Sequence, residues 1–339
     1  MLINKIPAVI VATSATILLA ACGGGSSAPA AGNSPPQLAS SLTIITQDNA
    51  KPTAGNVFNV AQSVDSTAAT SAALVTGVSL SSAAPSASKA AVDLFTFVIE
   101  NRKAPMLTGV SFSENCPNGG TVTLSGTIQN ENHPTAGDNI TLSAANCVIN
   151  GVALDGAYSI AVNSLNGAVS SSTAWNANLG LRFSNLRVAA GGDAIGVSGD
   201  MAIGFSQSDA SHRKFDISGA SLNASLVRNG NPIASRTLSA YSGVAQVNGT
   251  TSTTIVDYGV SGSSNLLKQF NVNVKTIRPF LRENGGYPTQ GSLIVSGAAS
   301  SVTLTAIDAT NVRLDYSAKG DGVITATQTT TWVDLQNSI

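Results

Sequence analysis

The chain has 339 residues, of which 43% are hydrophobic, 10% charged and 5% aromatic, and its formal net charge is -1. So little charge excludes the concentrated basic footprint that nucleic-acid binding needs, and the length allows one large β domain or two small ones. With 32 glycines and abundant Ser, Thr, Asn and Ala, the composition suits exported β proteins better than cytosolic enzymes.

Lys5 is followed by an apolar run from Ala8 to Ala20, broken only by Thr13, Ser14 and Thr16. It is shorter than the roughly 20 residues needed to cross a bilayer and suits the core of a signal peptide. Leu19-Ala20-Ala21-Cys22 then opens onto Gly23-Gly24-Gly25-Ser26-Ser27. This stretch resembles a lipobox, the bacterial motif at which the cysteine is lipidated and becomes the mature N-terminus. The competing reading is a secretory signal cut at small residues, which leaves a soluble protein.

The resemblance implies acyl chains on Cys22, each buried methylene contributing about 0.8 kcal/mol of membrane affinity. Gly23 is not the aspartate associated with inner-membrane retention, so the outer membrane is the implied destination. Residues 1–21 form the signal peptide, 22–41 a tether and 42–339 a single β-rich domain. The tether carries no charge, and a flexible chain of that length reaches roughly 25 Å.

Two helices are expected before the β region, near 53–63 and 86–102. In the first, Val57, Val60 and Ala61 recur with helical spacing beside Phe58, and Thr53 or Asn49 offers a cap. In the second, Ala91, Leu94, Phe95, Val98 and Ile99 make one apolar stripe with Lys89, Asp93, Glu100 and Lys103 off its centre. Such a stripe packs on a sheet.

From Gly120 the period changes to two. Val122 to Ile128 and Ile140 to Ser143 alternate apolar and polar residues. The pattern recurs from Val152, Leu179, Ile195, Phe215, Leu238, Thr253, Phe270, Leu293, Val302, Val312 and Val323, the last run ending at Trp332. About a dozen strands joined by short links exclude βαβ crossovers. The predicted fold class is mainly β (α+β): a strongly curved or barrel-like antiparallel meander with the two helices packed on or in it. Open sheets rarely exceed about ten strands, so closure is the favoured form.

Cys116 and Cys147, the two cysteines besides Cys22, read as one disulfide in an exported chain. Neither CxxC spacing nor a histidine pattern accompanies them, which argues against zinc. The tail segments Gly291 to Ala298, Val302 to Ala306, Asn311 to Leu314, Gly320-Asp321-Gly322 and Thr330-Thr331-Trp332 resemble the ending of uncharacterised β-rich lipoproteins of the Gram-negative outer membrane. Cys116-Pro117 with Gly119-Gly120 and Asn146-Cys147 look like that family's disulfide hairpin. The likeness covers most of the chain beyond the tether; it implies fold and location, and no activity.

Residues for chemistry are sparse. A calcium loop begun at Asp315 would need oxygen ligands where Ser317 and Lys319 stand, and a glutamate where Ala326 stands; a hairpin turn is the better reading. Gly196 to Asp200 and Gly259 to Ser263 each miss the last glycine of GxSxG. His133 and His212 sit in polar, turn-like segments. No catalytic residue, metal site or cofactor is therefore assigned.

Lys268, Lys275, Arg278 and Arg282, interleaved with Phe270 and Phe280, are the one basic concentration and a candidate contact for a polyanion. The leading expectation is a non-catalytic outer-membrane lipoprotein, attached through Cys22, that serves as a structural or binding module. An envelope polymer, a lipid or a protein is its partner class. The alternative is a periplasmic-side carrier of an apolar ligand in the concave face; an enzyme comes third.

Overall fold

A computed structural model describes residues 41–69, 110–129, 135–167, 173–264 and 266–338. Cys22, its tether, the stripe at 86–102 and His133 lie outside the described residues.

Among the described residues, fourteen strands form one antiparallel sheet in strict chain order. They are β1 (Val110–Asn115), β2 (Thr121–Thr127), β3 (Asn139–Ile149), β4 (Val152–Asn166), β5 (Trp175–Ala190), β6 (Asp193–Asp209) and β7 (His212–Arg228). The second half comprises β8 (Asn231–Asn248), β9 (Thr251–Ser263), β10 (Phe270–Glu283), β11 (Gln290–Gly297), β12 (Ser300–Ala306), β13 (Asn311–Ser317) and β14 (Ala326–Thr331). The meander inferred from alternation is present. Closure is not: β1 and β14 each pair on one side only, so the sheet is open.

What lets so many strands remain one sheet is a line of bulges across its middle. The register slips near Gly156 of β4, Asn185 of β5, Gly199 of β6 and Ala240 of β8, and all four residues have positive φ. Each bulge bends its strand and sharpens its twist, so the sheet coils without its ends meeting. Tyr241 straps this crease. Its phenol lies over Gly219, where a Cβ would collide with it, and donates to the carbonyl of Asp200 at 2.5 Å.

The inner face holds one continuous apolar core. Register places Ala177, Phe205, Phe215, Ala245, Thr254 and Phe280 in a buried row from β5 to β10. Leu124, Leu142, Tyr158 and Phe183 make a second row across β2 to β5. These are the apolar positions of the period-two pattern, which puts alternate residues on one face.

Of the two helices expected before the sheet, one is described, and it is longer than expected: α1 spans Gln47–Ala69. Its first residue is Gln47, and the cap is neither Thr53 nor Asn49 alone: Thr46 and Asn49 cap it reciprocally. The Asn49 N–H donates to Thr46 Oγ1 at 3.3 Å, and the Thr46 N–H donates to Asn49 Oδ1 at 2.8 Å. The helix therefore runs through Pro52 despite its missing N–H. It buries Ala50, Ala54, Val57, Phe58, Val60 and Ala61 against β7, β8 and β9 on one side and β12 and β13 on the other. The sheet thus wraps around it. Ahead of α1, Thr43 exchanges hydrogen bonds with Asn271, and Tyr316 Oη donates to the Ile45 carbonyl.

The other described helix, α2 (Trp332–Gln336), lies at the C-terminal end, where the alternating pattern predicts strand to Trp332. Thr331 ends the strand by accepting the Asp334 N–H as an N-cap. Trp332 is fully buried, stacks on Phe58 with centroids 4.5 Å apart, and donates from Nε1 to the Asp308 carbonyl at 2.9 Å.

Asp308 also organises the β12–β13 turn, accepting from the Asn311 side chain and from the backbone N–H groups of Thr310 and Asn311. These donors, the Asn311 side chain foremost, hold its carboxyl below the ordinary value of 3.8. Because the folded value lies below the unfolded one, its stabilisation is full above about pH 4 and is lost as pH falls through the folded value. Carboxyl-carbon NMR should find Asp308 titrating below exposed aspartates, and Asn311→Ala should bring it back toward them. An unchanged titration in that variant would refute the assignment.

Candidate functional site

The residues singled out in the sequence do not converge. Cys116 and Cys147 form a disulfide with Cα atoms 5.4 Å apart. It pins the β1–β2 turn to β3, where the backbone is already tied by Asn118 N–H to the Val148 carbonyl and Val148 N–H to the Gly119 carbonyl. Gly120 has φ +76 and a Cβ there would run into the Asn146 carbonyl, so the turn demands glycine. The bridge is structural.

The four basic residues are divided. Lys268 is exposed in the loop before β10, Lys275 is exposed and paired in register with Asp257, Arg278 is exposed, and Arg282 is buried. Register shifts between Lys275 and Leu281 interrupt the strand's two-residue period and part Lys275 from Arg282. Asp315 is enclosed by Arg313 Nε at 2.9 Å and Thr327 Oγ1 at 2.9 Å, while Asp321 accepts from Ser317 and Val323 in the following turn. Among the described residues no group of His, Cys, Asp and Glu is arranged to hold a metal. Ser198 and Ser261 lie within β6 and β9, and His212 pairs with Asp209 in the exposed β6–β7 turn at 2.7 Å.

The polar cluster that does stand out lies beneath α1. On β8, Ala234, Arg236 and Leu238 point to the inner face by alternation, and register sets Arg236 beside Ala224 of β7 and Gly262 of β9. Arg236 is 5% exposed. Its Nη2 donates to Asn56 Oδ1 of α1 at 2.8 Å. Asn56 is held in turn by donating to the Pro52 carbonyl at 2.8 Å and to Ser264 Oγ at 3.4 Å. Beside it, Tyr258 Oη donates to the Val57 carbonyl at 2.7 Å.

Arg236 Nε and Nη1 are buried without a hydrogen-bond partner, as is Thr53 Oγ1. Among the described residues no carboxylate pairs with Arg236. Burial pushes its pKa down to about 10, which still leaves it charged at neutral pH. Burial likewise pushes the Tyr258 phenol up, so Tyr258 stays neutral and offers no counter-charge. An unpaired buried charge costs several kcal/mol. Such an arrangement has no nucleophile and no base; what it offers is N–H donors to an anion.

Sequence reasoning missed Arg236 because the predicted strand starts at Leu238, after Pro232 and a polar stretch. Carrying the alternation two residues further back would have placed an arginine on the apolar face. Compared with protein-family models, curated proteins and solved structures, the chain matches none of them.

Proposed function

We propose that this chain is a non-catalytic binding module, tethered to the outer membrane through Cys22, that holds an apolar or amphipathic ligand against the inner face of its sheet. The observation that carries the reading is the open sheet. A closed barrel would bury its inner face by itself and serve as a rigid module. Here α1 is seated chiefly on β7 to β9, β12 and β13, while the same apolar face continues across β2 to β6. Its residues there are apolar and buried within the chain, the lining that a site for an apolar ligand has. Leu19-Ala20-Ala21-Cys22 and the uncharged tether support the membrane address.

The test has two arms. Labelled palmitate should enter the wild-type chain and be absent from Cys22→Ser; equal labelling of both would overturn the anchor. Native mass spectra of the mature Cys22→Ser chain should show one bound lipid per chain. A bare chain that also fails to bind a fluorescent fatty alcohol would overturn the binding reading in favour of a structural module.

A further inference from the structure

We infer that Arg236 is the anchor for the head group of an anionic amphiphile, a long-chain carboxylate, whose tail lies along the inner face beneath α1. The inference rests on the binding reading above and adds the ligand's charge and the residue that reads it. Three observations lead to it. Arg236 is 5% exposed and its guanidinium makes one hydrogen bond, to Asn56. Its Nε and Nη1 are buried with no acceptor. The surroundings are apolar: register sets Arg236 beside Ala224 and Gly262, and Gly262 beside Phe270, while Asn56 precedes the buried Val57 and Phe58 of α1.

A charge in such a place is retained against its desolvation cost only where something recovers that cost. A carboxylate does so through charge-assisted hydrogen bonds, which are roughly twice as strong as neutral ones, and the guanidinium fork suits its two oxygens. Asn56, the neutral acceptor now on Nη2, is replaceable in this role. It belongs to α1, so the helix that covers the face also carries the group an incoming head would displace or join. A small hydrophilic anion gains the same bonds but loses its hydration without the compensation of burying a tail.

The test uses the mature Cys22→Ser chain and three probes: dodecanoate below its micellar concentration, dodecanol with the same tail and no charge, and acetate with the same head and no tail. Calorimetric titration should show dodecanoate binding one to one and at least tenfold more tightly than dodecanol, with acetate undetected at the same concentrations. Arg236→Met keeps the length of the side chain and removes the unpaired charge, and should bind the two long probes equally. Dodecanoate and dodecanol binding alike to the wild type would overturn the head-group site while leaving the binding module intact, a result that needs no variant to fold. Preference for dodecanoate persisting in Arg236→Met would place the anion elsewhere and overturn it too. Acetate binding as tightly as dodecanoate would reduce the site to a small-anion site. Neither long probe binding would remove the binding reading itself.

Discussion

Replacing Trp332 with alanine is expected to destabilise the fold by about 3 to 5 kcal/mol, the range for removing a fully buried large aromatic side chain. Trp332 is 0% exposed and stands where three elements meet. It stacks on Phe58 of α1, faces Tyr287 of the β10–β11 connection with centroids 6.1 Å apart, and donates to the Asp308 carbonyl. Phe58 in turn meets Phe280 of β10 edge to face. Tyr287, the ring facing Trp332, is held through its hydroxyl to Gln336 at 2.6 Å, which opposes its collapse into the space. The loss should therefore appear as destabilisation and not as repacking. Urea unfolding gives the magnitude, and hydrogen exchange should show α1 amides opening before those of β4 to β6. A change below 1 kcal/mol, or an exchange pattern that spares α1, would show that this aromatic group does not hold the helix.

Removing the Cys116–Cys147 bridge by double substitution to serine is the second large effect, at about 3 to 4 kcal/mol for a separation of 31 residues on the chain-entropy account. An open sheet makes the location of this loss specific. In a closed barrel β1 would have two neighbours; among the described residues it has β2 alone, and the bridge is the covalent tie from the β1–β2 turn to β3. Amides of β1 and β2 should lose protection first, while those of β8 to β13 keep theirs. With a urea dependence of the usual size for a domain, the midpoint should fall on the order of 1 M. A midpoint unchanged by the substitution would mean that the backbone ties of Asn118 and Val148 suffice to hold the edge.

Much of this architecture is written in the sequence in local form. The two-residue period identifies nearly every strand from β2 to β13, because burial on one face imposes it on every residue of a half-buried strand. It gives shorter strands than are present: β8 runs Asn231–Asn248 where the apolar pattern starts at Leu238. Backbone pairing continues through polar ends that no hydrophobic pattern can mark. Two cysteines in an exported chain and the Gly119-Gly120 turn likewise point to the bridge. The first helix is legible from Val57, Phe58 and Val60, while its true start depends on a reciprocal cap between Thr46 and Asn49 that competes in the sequence with Thr53.

Whether the sheet closes, and which polar residue its interior holds, follow from long-range packing. Closure depends on the sum of twist and bend over fourteen strands, set by bulges at Gly156, Asn185, Gly199 and Ala240. Each is a small local irregularity whose effect exists only in accumulation, so no single segment encodes the open edge. Arg236 lies on an apolar face because strand parity places it there, and it lacks a counter-charge because of what α1 brings opposite: Asn56, an amide, and no carboxylate. The partner of a buried charge is a long-range fact, here joining residues 180 positions apart. Sequence spacing determines which face a side chain takes; only the packed helix determines what that side chain meets.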